Sequence, residues 1–408
     1  MNSSTSMPRT GPRRRLRRTL AAAAVAVAAL CGSAPAHAAT SAPALPAKAT
    51  AALPAKATAA LPGKATAALP GKATAALPAS ATGAAGTTAA SAAGAPLGQA
   101  ARRTTAGGAP FAARAAYPNP GYVTGSISVH DPSMVKTPAG GYILVHTGDN
   151  IAIKTSTDRT AFRDAGTVFP GGASWTTAYT GGSRNLWAPD ISYRNGRYYL
   201  YYSASTFGSN HSAIFLATST TGASGSWTNQ GLVIESRTSD NFNAIDPNLV
   251  VDGQGAWWLS FGSFWSGVKL VRIDPATGKR ADSTIRSIAG RNGGAIEAPY
   301  IFRRGSYYYL YVSFDLCCRG ASSTYRVMVG RSTSVTGPYV DRNGVAMTSG
   351  GGTEILAGHG SIHGPGHQAV FTDVDADVLV YHYYADNGAS RLGINLLAYD
   401  SAGWPYVY

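Results

Sequence analysis

Acidic residues are missing from the first 116 positions of this 408-residue chain, where nine arginines and four lysines stand without counter-charge. From Tyr117 onward there are 21 basic and 20 acidic residues. The formal charge of +14 therefore belongs almost wholly to the N-terminal part. That removes the basic balance as a sign of nucleic-acid binding. Cysteine is scarce, with three in all. Cys31 lies in the leader, and Cys317 and Cys318 are neighbours, so no disulfide framework can be drawn. The adjacent pair either closes a vicinal disulfide in an oxidising compartment or stays as two thiols, and the sequence leaves both open. No long segment shows helical periodicity. The apolar run from Leu20 to Leu30 is too short to span a bilayer comfortably, so no membrane partner is expected.

Residues 1–38 read instead as a secretory signal peptide. Arg13-Arg14-Arg15 and Arg17-Arg18 supply the charged region, and Ala36-His37-Ala38 is a small-residue cleavage site. Residues 39–116 are a low-complexity linker in which Leu53, Leu61, Leu69 and Leu77 mark a repeat built of Ala, Pro, Lys and Thr. Prolines interrupt any helix, and too few large apolar groups are present to offset the ordering entropy, so a disordered spacer is expected. The protein is then secreted and extracellular, with a tail able to reach into a cell wall.

Residues 117–408 have a different texture. Short runs rich in aromatic and β-branched residues recur, among them Tyr142–His146, Tyr198–Ser203, Ala213–Ala217, Trp257–Phe261, Val268–Ile273, Tyr307–Ser313, Arg326–Val329, Val378–Tyr383 and Leu392–Ala398. Turn pairs such as Asn195-Gly196 punctuate them. The expected class is all-β. Five stretches set a proline beside a polar residue: His130-Asp131-Pro132, Ala188-Pro189-Asp190, Ile245-Asp246-Pro247, Glu297-Ala298-Pro299 and Gly364-Pro365-Gly366-His367. Their polar markers, Asp131, Asp190, Asp246, Glu297 and His367, are 59, 56, 51 and 70 residues apart. A β unit recurring at that length predicts a five-bladed β-propeller with the markers gathered near one axis.

Together with Leu186-Trp187, these motifs resemble glycoside hydrolase family 43. Gly262-Ser263-Phe264-Trp265-Ser266-Gly267 and Phe314-Asp315-Leu316-Cys317-Cys318-Arg319-Gly320 are similar to its endo-1,5-α-L-arabinanases. The resemblance covers roughly 123–408. It implies a five-bladed propeller with a cleft on one face, an inverting hydrolysis and a polysaccharide substrate, arabinan. By the same resemblance Asp131 is the general base, Glu297 the general acid, and Asp246 orients Glu297 and raises its pKa. Such a division of labour between carboxyls is what glycoside hydrolysis needs. His367 is implied to help hold a cation, calcium, largely through water. Trp187 and Phe207 are implied to line the cleft, with Phe264, Trp265, Ser266, Asn185 and Arg319 as further sugar-binding candidates.

Asp190 is displaced relative to its proline and reads as structural. The run Asp373-Val374-Asp375-Ala376-Asp377 reads as a solvated hairpin turn, since it lacks the glycine and distal glutamate of a calcium loop. His359 and His363 receive no role. A monomer is expected. An exo-acting arabinanase, an arabinofuranosidase or a xylosidase would keep the same carboxylates, and a propeller lectin would have no need of them.

Overall fold

The computed structural model describes residues 117–408, and the signal peptide and repeat linker lie outside the described residues. Five sheets of four or five strands follow one another along the chain as the blades of a propeller. All nine strand runs read from the sequence lie within observed strands. The first strands of the blades are β1 (Ser133–Lys136), β2 (Asn185–Arg194), β3 (Asn248–Val251), β4 (Ile296–Arg304) and β5 (His363–Thr372). Each contacts the next, and β5 contacts β1, so they close a ring. In blade two, Asn195 and Gly196 take positive φ of 51° and 77°, the tight turn that joins β2 to Arg197–Ala204.

Apolar side chains from adjacent blades interlock in five separate buried clusters, one at each blade-to-blade interface. The interface of blades five and one carries the closure of the ring. There Met134, Leu144 and Phe162 meet Val378, Val380 and Leu392. Backbone bonds reinforce it, from Gly121 N–H to Ile394 O at 2.7 Å and from Leu392 N–H to Ile127 O at 2.8 Å. The Asp373–Asp377 hairpin turn is present, but its carboxylates are not simply solvated. Asp373 is buried and accepts from Tyr142 Oη at 2.6 Å, Arg159 Nη1 at 2.7 Å and Lys136 Nζ, all in blade one. Asp377 takes Arg304 Nε at 2.9 Å, so the run bonds blade five to both of its neighbours.

One backbone feature repeats in every blade. Asp131, Ala188, Asp246, Ala298 and His367 all adopt the left-handed conformation, with φ between 47° and 59°. Residues with a Cβ rarely sit there unless their surroundings hold them. Here each N–H is caught by a side chain. Asp131 N–H donates to His382 Nδ1 at 3.1 Å, Ala188 N–H to Thr147 Oγ1 at 2.8 Å and Asp246 N–H to Ser203 Oγ at 3.0 Å. Ala298 N–H donates to Asp246 Oδ2 at 3.0 Å and His367 N–H to Ser313 Oγ at 2.8 Å. In every case the acceptor belongs to the preceding blade.

This ring corrects the register read from the sequence. The equivalent residue of blade two is Ala188, not Asp190, and that of blade four is Ala298, not Glu297. Asp190 sits two positions further, matching Ser133 in blade one and Asn248 in blade three. From that position Ser133 Oγ accepts Ile191 N–H at 3.2 Å, Asp190 Oδ2 accepts Leu249 N–H at 2.8 Å, and Asn248 Oδ1 accepts Ile301 N–H at 2.8 Å. Asp190 is therefore a stitch between blades two and three, with burial pushing its carboxyl up to about 6 against the Leu249 hydrogen bond. Asp190→Ala leaves the Leu249 N–H buried without a partner and is expected to lower stability by about 1–3 kcal/mol, read as an earlier urea midpoint with an unchanged slope.

Candidate active site

The left-handed ring turns its members and the residues before them toward the axis. Asp131, Asp246 and Glu297 are buried there, at 7%, 6% and 9% exposure. Their charges act on one another. Sequence spacing treated the three as one position; the structure places Asp131 and Asp246 at the left-handed residue itself and Glu297 one residue before it. Glu297 thus shares its register with His130, Trp187 and Gly366.

Asp131 is surrounded by polar side chains. Its Oδ2 takes Thr147 Oγ1 at 2.6 Å and faces His130 Nδ1 at 2.9 Å. Its Oδ1 lies 3.1 Å from His367 Nδ1 and 3.5 Å from His382 Nδ1. Burial alone would raise the carboxyl, but the His130 and His367 imidazoles outweigh it and hold Asp131 well below the usual carboxylate range. Glu297 shows the opposite balance. Burial pushes it up to about 7, the Ser263 hydrogen bond opposes, and the Asp131 charge adds to the rise. Its Oε2 accepts from Ser263 Oγ at 2.7 Å and its Oε1 from the Tyr325 hydroxyl. Burial and then the charges of Glu297 and Asp131 also raise Asp246 well above its ordinary value. Asp246 Oδ2 grips the Ala298 N–H, so it fixes the backbone immediately after Glu297. The site pairs one carboxylate held ionised with a carboxyl pair that retains a proton.

Several of these partners carried no sequence signal of their own. Tyr325 and His382 are aromatic residues among many in a propeller. His130 and Ser263 lay inside the quoted motifs, and adjacency to Asp131 and to the Phe264 loop was the cue available. Gly366 is legible only in three dimensions. A Cβ there would stand 2.3 Å from the Tyr325 ring, so glycine makes room for the side chain that holds Glu297.

The sugar-binding candidates divide. Trp187 is half-buried and precedes Ala188, on the register that carries Glu297. Phe264 and Trp265 are half-buried and left-handed, and Phe264 N–H donates to Ile296 O at 2.8 Å, tying their loop to the residue before Glu297. Ser266 uses its hydroxyl on Asn241 O and so staples that loop. Phe207 is 87% exposed, and Asn185 and Arg319 also face solvent. Among the described residues no hydrogen bond joins these last three side chains to the carboxylates. Cys317 and Cys318 form a vicinal disulfide. His363 pairs with Asp386 at 2.7 Å and His359 Nδ1 with Ala357 O at 2.8 Å, both away from the three carboxylates in their bonding.

At His367, Nδ1 faces Asp131 and Nε2 has no protein partner among the described residues. Calcium takes about six to eight oxygen ligands. Asp131, the carboxylate that faces His367 Nδ1, is already engaged on both oxygens. His367 therefore offers one imidazole nitrogen, and an ion beside it would draw most of its shell from water.

A family model for the glycosyl hydrolases family 43 matches residues 121–405. Extracellular endo-alpha-(1->5)-L-arabinanase 1 of Bacillus subtilis is 47% identical over 286 residues, covering 68% of this chain and 87% of that protein. Among solved structures, an endo-arabinanase from Bacillus licheniformis superposes with a TM-score of 0.66 at 49% identity, covering 70% of this chain and 99% of that one. An exo-1,5-alpha-L-arabinanase from a bovine ruminal metagenomic library gives 0.67 at 41% identity, with the same coverage of 70% and 99%.

Gly366→Ala is expected to force the Tyr325 ring away from Glu297 and to lower stability by about 1–3 kcal/mol, the usual cost of overpacking, measured as a drop in the thermal midpoint.

Proposed function

The chain belongs to glycosyl hydrolases family 43, and on that premise we propose that this glycoside hydrolase cuts internal α-1,5-linked L-arabinofuranosyl bonds of arabinan with inversion at the anomeric carbon. The observation that carries the mechanism is the opposite tuning of two carboxyls at one axis: Asp131 held ionised by imidazoles, Glu297 pushed up to about 7 by burial. Asp131 takes a proton from a water as that water attacks the anomeric carbon. Glu297 gives its proton to the departing glycosidic oxygen. Inversion needs the two carboxyls about 6.5–9.5 Å apart so that the water fits between them. Asp246 positions Glu297 through the Ala298 N–H, and the two neighbouring carboxyls together favour retention of the acid's proton.

Trp187, Phe264 and Trp265 offer flat apolar faces to the sugar rings. The enzyme works outside the cell, as the word extracellular in the name of the Bacillus relative suggests. One chain supplies every group named, so the proposed chemistry needs no second copy. His367, through Nε2 and water, would hold a calcium ion, whose positive charge would help keep Asp131 ionised. An exo-acting enzyme on the same substrate is the second reading, favoured by the likeness to the ruminal exo-arabinanase.

Debranched linear arabinan separates the two readings. An endo enzyme yields a ladder of oligosaccharides from the start; a single short product from the outset overturns endo action. Glu297→Ala is expected to lower kcat on arabinan by about 10²–10⁴-fold. The pH profile follows from the two shifts. Activity needs Glu297 protonated and Asp131 ionised, so kcat/KM is expected to fall as pH rises through about 7. The acid limb lies below the ordinary carboxylate range. A profile that is flat from pH 6 to 8 (roughly a unit either side of that acid) contradicts the assignment.

A further inference from the structure

Hydrolysis as described gives no task to Tyr384 or to the two adjacent cysteines, yet both reach Asp131 through one line of contacts. The disulfide lies in the connection after Tyr307–Phe314, with Cys317 half-buried, Cys318 exposed and Cys318 in the left-handed conformation at φ 66°. Cys318 N–H donates to Tyr384 Oη at 3.0 Å. Tyr384 Oη lies 2.8 Å from His130 Nε2. His130 Nδ1 lies 2.9 Å from Asp131 Oδ2. Cys318 Sγ itself stands 3.8 Å from His130 Nε2. A backbone N–H can only donate. The ionised Asp131 carboxylate can only accept, so a neutral His130 turns its Nδ1 proton to it and takes the Tyr384 proton on Nε2, which leaves the tyrosine oxygen to accept the Cys318 N–H. The line has one polarity, held by the carboxylate at one end and the Cys318 N–H at the other.

The covalent chemistry points to a local purpose. A disulfide steadies a fold mainly in proportion to the loop it closes, and this one joins residues one position apart. It adds little to global stability. What it constrains is the peptide between the two cysteines and with it the direction of the Cys318 N–H.

We propose that the Cys317–Cys318 disulfide is a reducible clamp that, through Tyr384 and His130, positions Asp131 for attack on water. The proposal rests on Asp131 being the base. A dithiol reductant attacks one sulfur, the S–S bond breaks, and a second exchange leaves two cysteine thiols and the oxidised, cyclic form of the reductant. The loop is then free to turn the Cys318 N–H away. His130 and Tyr384 are positioning residues: they touch the base, not the substrate.

The full chain is incubated with dithiothreitol, free thiols are counted, and kcat and KM on linear arabinan are measured beside the thermal midpoint. Reduction is expected to lower kcat about tenfold, a small part of what a well-placed base supplies, with KM and the midpoint unchanged. Removal of the reductant and reoxidation restore kcat. The double variant Cys317→Ser/Cys318→Ser is expected to show the reduced rate and no response to dithiothreitol, and Tyr384→Phe the same loss of kcat at constant KM. Two titratable thiols with kcat unchanged overturn the proposal. So does a rise in KM alone, which would make the disulfide a substrate contact, or a fall in the midpoint matching the loss of rate, which would make it a structural staple. Asp131→Ala is run in parallel: if it hydrolyses arabinan normally, the base assignment fails irrespective of how the disulfide behaves.

Discussion

The left-handed residue on the first strand of each blade is the constraint on which the rest depends. Five residues hold a conformation that a Cβ disfavours, and each is held by a side chain of the blade before it. The arrangement joins neighbours at the axis while the apolar clusters join them further out. It also re-aims the chain, so that residues at and just before the bend point inward. The bend places Asp131, Asp246 and His367 at the axis directly, and Glu297 by way of the residue that follows it. Fold and site thus share one device, and the two bonds that close the ring at Asp131 and hold Glu297 in place, from the Asp131 and Ala298 N–H groups, belong to both.

The electrostatics follow from which neighbours the bend supplies. Asp131 and Glu297 are buried to similar degrees, and desolvation raises both. Asp131 meets three imidazoles and a threonine hydroxyl, which more than compensate for burial. Glu297 meets two hydroxyls and two carboxyls, which do not. The same residue class is therefore driven in opposite directions within one site, the pattern that acid–base chemistry near neutral pH requires.

Much of this was legible in the sequence, and the reasons it ended where it did are physical. Each blade's inner strands are buried on both faces and read as dense runs of Tyr, Val and Leu, as in Tyr307–Phe314. The outermost strands, such as Ala161–Thr167 and Thr228–Ser236, are half exposed and mix polar with apolar residues, so they carried no such signal. The proline motifs located the axis, but in four of the five blades the proline follows the bend rather than the reactive group, which is why Asp190 and Glu297 seemed equivalent to Asp131. His382 and Tyr325 were invisible because a buried polar group facing the axis looks, in one dimension, like any other residue of an aromatic strand. The Asp373 run looked solvated because its partners Lys136, Tyr142 and Arg159 come from the opposite end of the folded chain.

The central claim is that an ionised Asp131 drives water onto the face of the sugar opposite the bond that Glu297 protonates. The anomeric configuration of the first product tests it most directly. Proton NMR during the opening minutes of hydrolysis of a linear α-1,5-arabino-oligosaccharide reads the new reducing end before mutarotation scrambles it. The account predicts the β-anomer first, with the α-anomer growing in later. The α-anomer appearing first would mean retention through a covalent intermediate, and would contradict the roles given to both carboxyls.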